Sequence, residues 1–106
     1  MTLDLDALLV AADKAARAGG EVVRSHFGSP PEVREKSPGD WVTAADVASE
    51  DVVRAVLERE TGLPVFGEEA GGVRADTGWL VDPLDGTANF VHGFDAVGVS
   101  VGLHFP

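Results

Sequence analysis

Hydrophobic residues recur every three or four positions along the first 27 residues of the chain. They are Leu5, Leu8, Leu9, Ala12, Ala15, Ala16, Val22, Val23 and Phe27. This spacing places apolar side chains on one face of an α-helix. The opposite face of the helix is not the basic one that is typical of a helix bound to a membrane surface. Gly19 and Gly20 weaken such a helix by about 1 kcal/mol each relative to Ala, but they let another element pack closely. We predict a core-facing helix that ends at Gly28-Ser29-Pro30-Pro31.

A turn-rich tripeptide and a second apolar stripe follow. Glu32 to Ser37 and Trp41 to Ala44 flank Pro38-Gly39-Asp40, a composition typical of a hairpin of two short strands. From about Asp46 to Thr61, acidic residues occupy the early turns, where the helix dipole favours them, and Gly62 follows the end. The apolar stripe of this segment comprises Val47, Val52, Val53, Val56 and Leu57. The sequence therefore predicts a hairpin and then a second helix.

The last third of the chain has the pattern of β-strands. Pro64-Val65-Phe66 and Trp79-Leu80-Val81 are short apolar segments followed by polar or turn-forming residues. From Ala96 to Phe105, apolar residues alternate with Gly, Ser and His, which is the period of a strand. The small residues of its second face allow a helix or another backbone to approach closely. The chain ends at Pro106, where a strand of a larger sheet would turn and continue, so we expect the N-terminal portion of a larger protein.

The composition is that of a folded domain. The chain has 106 residues, of which 44% are hydrophobic and 25% are charged, and these values exclude disordered, collagen-like and coiled-coil chains. The length suits one domain over residues 1–106. Because the chain has no Cys, disulfides, thiolate catalysis and Cys-ligated metals are excluded.

The charge excludes a large class of partner. The formal net charge is −10, whereas binding of nucleic acid through its phosphates needs clustered Lys and Arg. The surplus of carboxylates suits recruitment of divalent cations, although acidic surfaces more often serve solubility. Asp4 and Asp6 stand where a secretory signal needs positive charge, and no apolar run approaches the ~18 residues of a membrane span. We predict a cytoplasmic protein that binds neither nucleic acid nor membranes.

Carboxylates with the spacing of a metal site lie between Glu68 and Asn89. Asp82 follows a hydrophobic strand, and Pro83 and Gly86 favour a sharp turn directly after it. The carboxylates of Asp82 and Asp85, with a backbone carbonyl of that turn, would form part of a Mg²⁺ coordination shell. The carboxylate of Glu68, also at a strand end, joins them if the two strands lie side by side.

Each of these segments also has a simpler interpretation. The run Asp82 to Gly86 by itself is most often a type I turn, and Gly67-Glu68-Glu69 by itself is a solvated loop. The hypothesis of a functional site rests on their occurrence together with Thr87 and Asn89. The polar groups of these two residues would start a helix and aim backbone N–H groups at a phosphate.

The same residues resemble those of a known enzyme family. The resemblance is carried by Gly67-Glu68-Glu69 and by Trp79-Leu80-Val81-Asp82-Pro83-Leu84-Asp85-Gly86-Thr87-Ala88-Asn89-Phe90-Val91-His92-Gly93. These motifs are similar to those of the inositol monophosphatase family of Mg²⁺-dependent, lithium-sensitive phosphatases. Lys36-Ser37-Pro38 and the run from Trp41 to Asp46 resemble two further elements of the family. Ala88 stands where many members have Thr, and Asp95 stands where Pro is frequent, and neither departure removes a metal ligand.

The resemblance implies a role for each motif. Glu68, Asp82, Asp85 and the Leu84 carbonyl would bind Mg²⁺, and Thr87 and Asp46 would orient and deprotonate the attacking water. Hydrolysis by a pair of metal ions needs no covalent intermediate. The substrate site would comprise Glu68, Leu84, Asp85, Gly86, Thr87 and Ala88, with backbone N–H groups around Ala88 on the phosphate. The resemblance also implies a homodimer for the intact protein.

The implied fold is α/β (α+β), as the N-terminal half of a layered α/β/α sandwich with two helices on a mainly antiparallel sheet. Family members are longer, and their second half supplies another metal-binding Asp and most residues that select the alcohol. The implied function is hydrolysis of a phosphate monoester, foremost myo-inositol monophosphate, with this chain alone inactive. Alternative substrates are fructose 1,6-bisphosphate, histidinol phosphate and an adenosine bisphosphate. An alternative of another class is a catalytically silent Mg²⁺- or Ca²⁺-binding interaction module.

Several other polar and aromatic residues have weaker claims to function. Lys36 would orient a metal-bound water, but a hairpin Lys is more often solvated. Trp41 and Trp79 are predicted to be packing residues beside the motifs. The three histidines lack metal-ligand spacing, so we expect structural or exposed roles for them; they are His26, His92 and His104.

Overall fold

The computed structural model describes residues 2–28, 33–38 and 40–106. Its helices are α1 (Leu5–His26), α2 (Ala44–Thr61) and α3 (Thr87–Val91). Its strands are β1 (Val33–Ser37), β2 (Asp40–Thr43), β3 (Val65–Gly67), β4 (Gly71–Gly72), β5 (Gly78–Asp85) and β6 (Gly98–His104). Of the described helices, none is long and apolar enough to cross a membrane.

The predicted first helix is confirmed as α1. The side chain of Asp4 caps its N-terminus by accepting a hydrogen bond from the N–H of Ala7 at 3.1 Å. The buried residues recur every fourth position along one face and are Ala11, Ala15, Gly19 and Val23. The Ser-Pro-Pro segment that was predicted to end the helix lies outside the described residues.

The second helix begins two residues earlier than predicted because Thr43 and Asp46 form a capping box. The Thr43 side chain accepts from the N–H groups of Ala45 and Asp46, and the Asp46 side chain accepts from the N–H of Thr43. The helix ends at Gly62, whose φ of +67° is the left-handed conformation that glycine adopts without strain. Asp46 is therefore held in the first turn of α2 rather than before it.

The predicted hairpin is also present, as a separate two-stranded antiparallel sheet of β1 and β2. Its register pairs Arg34 with Val42 and Glu35 with Trp41. Gly39, in the predicted turn, lies outside the described residues.

The main sheet has the strand order β4-β3-β5-β6. The outer pairs β3–β4 and β5–β6 are antiparallel, whereas β3 and β5 are parallel. Helices α1 and α2 pack against each other and on one face of this sheet. The predicted α/β class, with two helices on a mainly antiparallel sheet, is therefore confirmed.

The prediction that the strand ends at Asp82 in a tight turn is wrong. Strand β5 continues to Asp85, and its pairing with β6 shifts between Asp82 and Asp85. Asp82 pairs with Ser100 and Asp85 with Gly98, so Pro83 and Leu84 lie opposite the single residue between these partners. This is a β-bulge, a position that tolerates a proline without a backbone N–H. Long-range pairing with β6 thus extends the strand through a sequence that favours a turn locally.

The core lies between the two long helices and the sheet. Its buried residues are Ala15, Val53, Val56, Leu57, Val65, Trp79 and Val81. Gly19 permits the close approach of the helices, because a Cβ there would lie 2.6 Å from Cγ2 of Val53. Trp79 is 2% exposed and its indole N–H donates to Oγ1 of Thr61 at 3.0 Å, which confirms it as a packing residue.

The two faces of β6 differ as the alternation predicts. Val99, Val101 and Leu103 pack against the core. Gly98 and Gly102 face the other way, and a Cβ at either would meet no atom within 4 Å. Among the described residues, therefore, no helix or backbone uses the close approach that this small-residue face allows.

Candidate active site

Two of the predicted ligands, Glu68 and Asp82, are neighbours: Glu68 directly follows β3, and Asp82 lies within the parallel strand β5. Gly67 of β3 pairs with Val81 of β5, and the N–H of Glu68 donates to the Val81 carbonyl at 3.1 Å. The register therefore places Glu68 beside Asp82, and their side chains share a hydrogen bond. The condition set by the sequence, that these two strands lie side by side, is met.

The surroundings of Glu68 favour the protonated form of its carboxyl group. Partial desolvation raises the pKa of Glu68 from 4.5 to about 7, and the hydrogen bond to Asp82 and its negative charge act in the same direction. The ammonium group of Lys36 opposes this rise in the pKa, and the nearby Glu69 adds to it. Without a cation, Glu68 is therefore partly protonated close to neutral pH.

Asp46 and Thr87, which are 41 residues apart in sequence, are in direct contact. The hydroxyl of Thr87 lies 2.9 Å from Oδ1 of Asp46 and 3.1 Å from the Leu84 carbonyl oxygen. Oδ2 of Asp46 accepts from the N–H of Thr43 at 2.9 Å and from its hydroxyl at 2.6 Å. Asp46 is 2% exposed. The predicted pair is thus assembled, with a buried carboxylate oriented on a hydroxyl beside the bulge.

The short helix α3 starts differently from the expectation. Its N-cap is Gly86, with no side-chain capping bond, so neither Thr87 nor Asn89 caps it. Gly86 has a φ of +90°, and a Cβ there would lie 2.7 Å from the Ala96 carbonyl oxygen. The Asn89 amide instead donates to that same carbonyl at 2.9 Å, which ties α3 to the segment before β6. Ala88, in the first turn, is exposed.

The third predicted carboxylate, Asp85, is exposed at the end of β5. Within residues 2–28, 33–38 and 40–106, no three His, Cys, Asp or Glu side chains lie close enough together to hold a metal ion. The structure therefore brings Glu68 and Asp82 together but does not gather Asp85 with them. Mg²⁺ prefers oxygen donors and is usually held by one or two carboxylates, with water and substrate oxygens completing the shell. The Glu68–Asp82 pair fits that chemistry.

Lys36 reaches the same end of the sheet from the hairpin. Its Nζ lies 2.8 Å and 3.2 Å from the two carboxylate oxygens of Glu69. It is therefore ion-paired next to Glu68 rather than simply solvated, and its role toward a metal-bound water stays a prediction.

The Trp41 ring has packing contacts, and the three histidines are exposed at the surface, which agrees with the expectation for both residue types. The Trp41 ring contacts the His92 ring at a centroid distance of 5.8 Å, and its N–H donates to Glu35 at 3.1 Å. Nδ1 of His26 lies 2.9 Å from the Val22 carbonyl oxygen within α1, and His104 is exposed at the end of β6.

The chain is similar to proteins of one known family over nearly its whole length. Residues 4–104 match the model of the inositol monophosphatase family. The chain belongs to this family. It is 40% identical to inositol monophosphatase 1 of Solanum lycopersicum over 93% of this chain and 39% of that protein. It is 39% identical to a fructose-1,6-bisphosphatase/inositol-1-monophosphatase of Aquifex aeolicus over 94% of this chain and 40% of that protein.

The structural comparison agrees with the family assignment. The chain superposes on the extragenic suppressor protein suhB of Bartonella henselae with a TM-score of 0.88 and 28% identity, over 93% of this chain and 41% of that one. The chain thus spans about 40% of the length of these inositol monophosphatase relatives.

Sequence reasoning missed two residues of α2, Glu50 and Arg54, whose side chains hydrogen-bond to the backbone on either side of Glu68. Both lie on the helix side of the loop that carries Glu68, and Glu50 is 1% exposed. A signal was available, because Glu50 is spaced three and seven residues before Val53 and Leu57, on the same buried stripe. An acidic residue on such a stripe indicates a specific partner.

Proposed function

We propose that these residues form part of the active site of a Mg²⁺-dependent phosphatase that hydrolyses inositol monophosphate. The observation that carries the proposal is the contact of Thr87 with both Asp46 and the Leu84 carbonyl, at the sheet end where Glu68 meets Asp82. A buried proton acceptor, a hydroxyl relay and a pair of cation-binding carboxylates are what attack of water on a phosphate monoester requires. The named activities of the relatives support the substrate class.

The residues of this chain divide the work as follows. Glu68 and Asp82 would hold Mg²⁺, and Asp85 and the Leu84 carbonyl stay predicted ligands of the same ion. When bound, the ion would supply Lewis-acid activation and neutralise phosphate charge. The backbone N–H groups of the first turn of α3, around Ala88, orient the phosphate oxygens, since these groups have no acceptor within the helix.

Proton transfer depends on the contact between Asp46 and Thr87. The Thr87 hydroxyl holds a water molecule. As the water oxygen attacks phosphorus, the hydroxyl takes a proton from the water and gives its own proton to the carboxylate of Asp46. The bond from phosphorus to the ester oxygen breaks, and the ester oxygen keeps the electron pair and takes a proton from solvent water. Asp46 then returns its proton to the solvent. Because Thr87 has a single hydroxyl hydrogen, it bonds either Asp46 or the Leu84 carbonyl at one time, and this freedom suits a relay.

Fructose 1,6-bisphosphate is the second candidate substrate, because the Aquifex aeolicus relative is named for both activities. Histidinol phosphate, an adenosine bisphosphate, inhibition by Li⁺, the homodimer, the cytoplasmic location and the inactivity of this chain alone stay predictions.

The test is phosphate release by the complete protein from inositol 1-phosphate, fructose 1,6-bisphosphate and histidinol phosphate, each with Mg²⁺ and with EDTA. We expect Mg²⁺-dependent release, fastest from inositol 1-phosphate and inhibited by Li⁺. Faster release from fructose 1,6-bisphosphate would select the second candidate. Release from none of them, together with retained Mg²⁺ binding, would identify a silent metal-binding module and contradict the proposed function.

A further inference from the structure

The loop that carries Glu68 is fixed by a buried carboxylate from the second helix. Strands β3 and β4 form a hairpin whose three connecting residues are Glu68, Glu69 and Ala70. Oε1 of Glu50 accepts from the N–H of Glu69 at 2.7 Å, and Oε2 accepts from the N–H of Ala70 at 2.7 Å. One carboxylate therefore binds two successive backbone N–H groups of the loop, one with each oxygen.

Arg54, one helical turn further along α2, holds the two strands that flank the loop. Its guanidinium donates to the Val65 carbonyl at 2.9 Å and to the Gly71 carbonyl at 2.7 Å. It also lies 3.5 Å from Oε2 of Glu50, which gives that buried carboxylate an opposite charge. The two side chains thus attach the whole β3–β4 hairpin to α2.

These contacts determine the direction in which Glu68 points. The N–H of Glu68 is bonded to the Val81 carbonyl, and the next N–H, that of Glu69, is bonded to Glu50. Because both peptide groups around its Cα are held, Glu68 cannot turn its side chain away from Asp82 by rotation of its own backbone.

The fit between helix and hairpin is close enough to require glycine. A Cβ on Gly67 would lie 2.3 Å from Cδ of Glu50 and 2.4 Å from its Oε1. The carboxylate therefore fills the space where any other residue at position 67 would place a side chain.

We propose that Glu50 and Arg54 are positioning residues, which hold Glu68 beside Asp82 in the geometry that binds Mg²⁺. This inference rests on the proposed function, because it takes Glu68 as a metal ligand. Removal of a group that orients a metal ligand typically weakens metal binding by 10–100-fold.

Glu50→Gln is the informative change, since it preserves size while replacing one acceptor oxygen with an N–H₂ donor that faces a backbone N–H. In the complete protein, we expect Mg²⁺ affinity, measured by calorimetry, to fall about 10–100-fold. Amide hydrogen exchange at Glu69 and Ala70 should accelerate. Arg54→Lys should have a smaller effect in the same direction, because one ammonium cannot span both carbonyls as the planar fork does.

Two controls separate positioning from general loss of stability. Glu58→Gln, an exposed position of the same helix, should leave both measurements unchanged. Val53→Ala removes a buried core contact away from the loop, so it should lower the melting temperature but retain Mg²⁺ affinity.

Two outcomes would overturn the account at different points. If Glu50→Gln binds Mg²⁺ no more weakly than Val53→Ala does, while Glu68→Gln loses affinity, the positioning role is refuted and the metal site stands. If Glu68→Gln itself retains full affinity, the metal assignment of the proposed function is refuted, and the positioning proposal with it.

Discussion

The two halves of α2 bury their inward faces by different means. In the C-terminal half, Val53, Val56 and Leu57 are at most 7% exposed and belong to the apolar core. In the N-terminal half, the buried positions apart from Ala45 are polar, namely Asp46, Ser49 and Glu50. A buried apolar side chain needs only a volume to fill, whereas a buried polar one needs specific partners.

Each polar residue of the N-terminal half has such partners in a different element. Asp46 is bonded to Thr87, Ser49 donates to the Pro83 carbonyl at 2.8 Å, and Glu50 binds the loop after β3. No buried side-chain polar atom in the described part of the chain lacks a hydrogen-bond partner. One helix therefore packs the core with the apolar residues of its second half, and it orients the candidate site with its first half and with Arg54, at the start of the second. Substitutions in the two halves should separate stability from function.

The largest expected effect is that of Asp46→Asn on turnover by the complete protein. Asn keeps the shape but cannot accept a proton, and positioned acid–base catalysis is typically worth ~10²–10⁴-fold. We expect kcat to fall by about that factor, with little change in Mg²⁺ affinity by calorimetry. Asp51→Asn, at an exposed position of the same helix, is the matched control. Turnover equal to that of the unsubstituted protein would remove Asp46 from the mechanism.

In the apolar half, Leu57→Ala should cost about 2–5 kcal/mol of unfolding free energy, because a fully buried side chain leaves a cavity. Denaturant unfolding measures this loss, and kcat of the folded fraction should be unchanged. Leu9→Ala, at a position that is 68% exposed, should cost less than about 0.5 kcal/mol. A small loss at Leu57 would show that the core is not where the structure places it.

Sequence prediction was accurate for elements that depend on local spacing, and it failed for features that depend on contacts between distant residues. Both long helices and the hairpin depend on local spacing, and they were predicted within a few residues. The contact between Asp46 and Thr87 came from the family resemblance, since two residues 41 positions apart carry no local signal of it. The bulge at Pro83 was missed because it arises from pairing with β6. The position of Glu50 on the buried stripe indicates a partner, but local spacing cannot identify a loop that lies 19 residues ahead.

A third prediction concerns metal stabilisation through the carboxylate pair. Mg²⁺ at 100 times its dissociation constant should add about 2.7 kcal/mol to the free energy of unfolding and so raise the melting temperature. The combined change Asp82→Asn and Asp85→Asn should abolish this dependence, whereas Asp76→Asn at an exposed position should not. Stabilisation that survives the double substitution would locate the metal elsewhere.

The smallest expected effect is that of pH on Mg²⁺ affinity. The pKa of Glu68 is raised to about 7, so at a lower pH the binding of Mg²⁺ must displace the proton of this carboxyl group. Affinity should therefore rise about tenfold between pH 6 and pH 8.

In the metal-free protein, the raised pKa of Glu68 should make the fold less stable as pH increases from 4.5 to about 7. Glu68→Gln should flatten both profiles; unchanged profiles would assign the titration to another group.

The central claim is that the two halves of α2 serve function and stability separately. It is tested most directly by measuring kcat and the free energy of unfolding of the Asp46→Asn and Leu57→Ala variants of the complete protein. The account predicts that Asp46→Asn loses most of its turnover while retaining a folded, Mg²⁺-binding state, and that Leu57→Ala loses stability while its folded fraction turns over normally. Parallel losses of turnover and stability in both variants would contradict it.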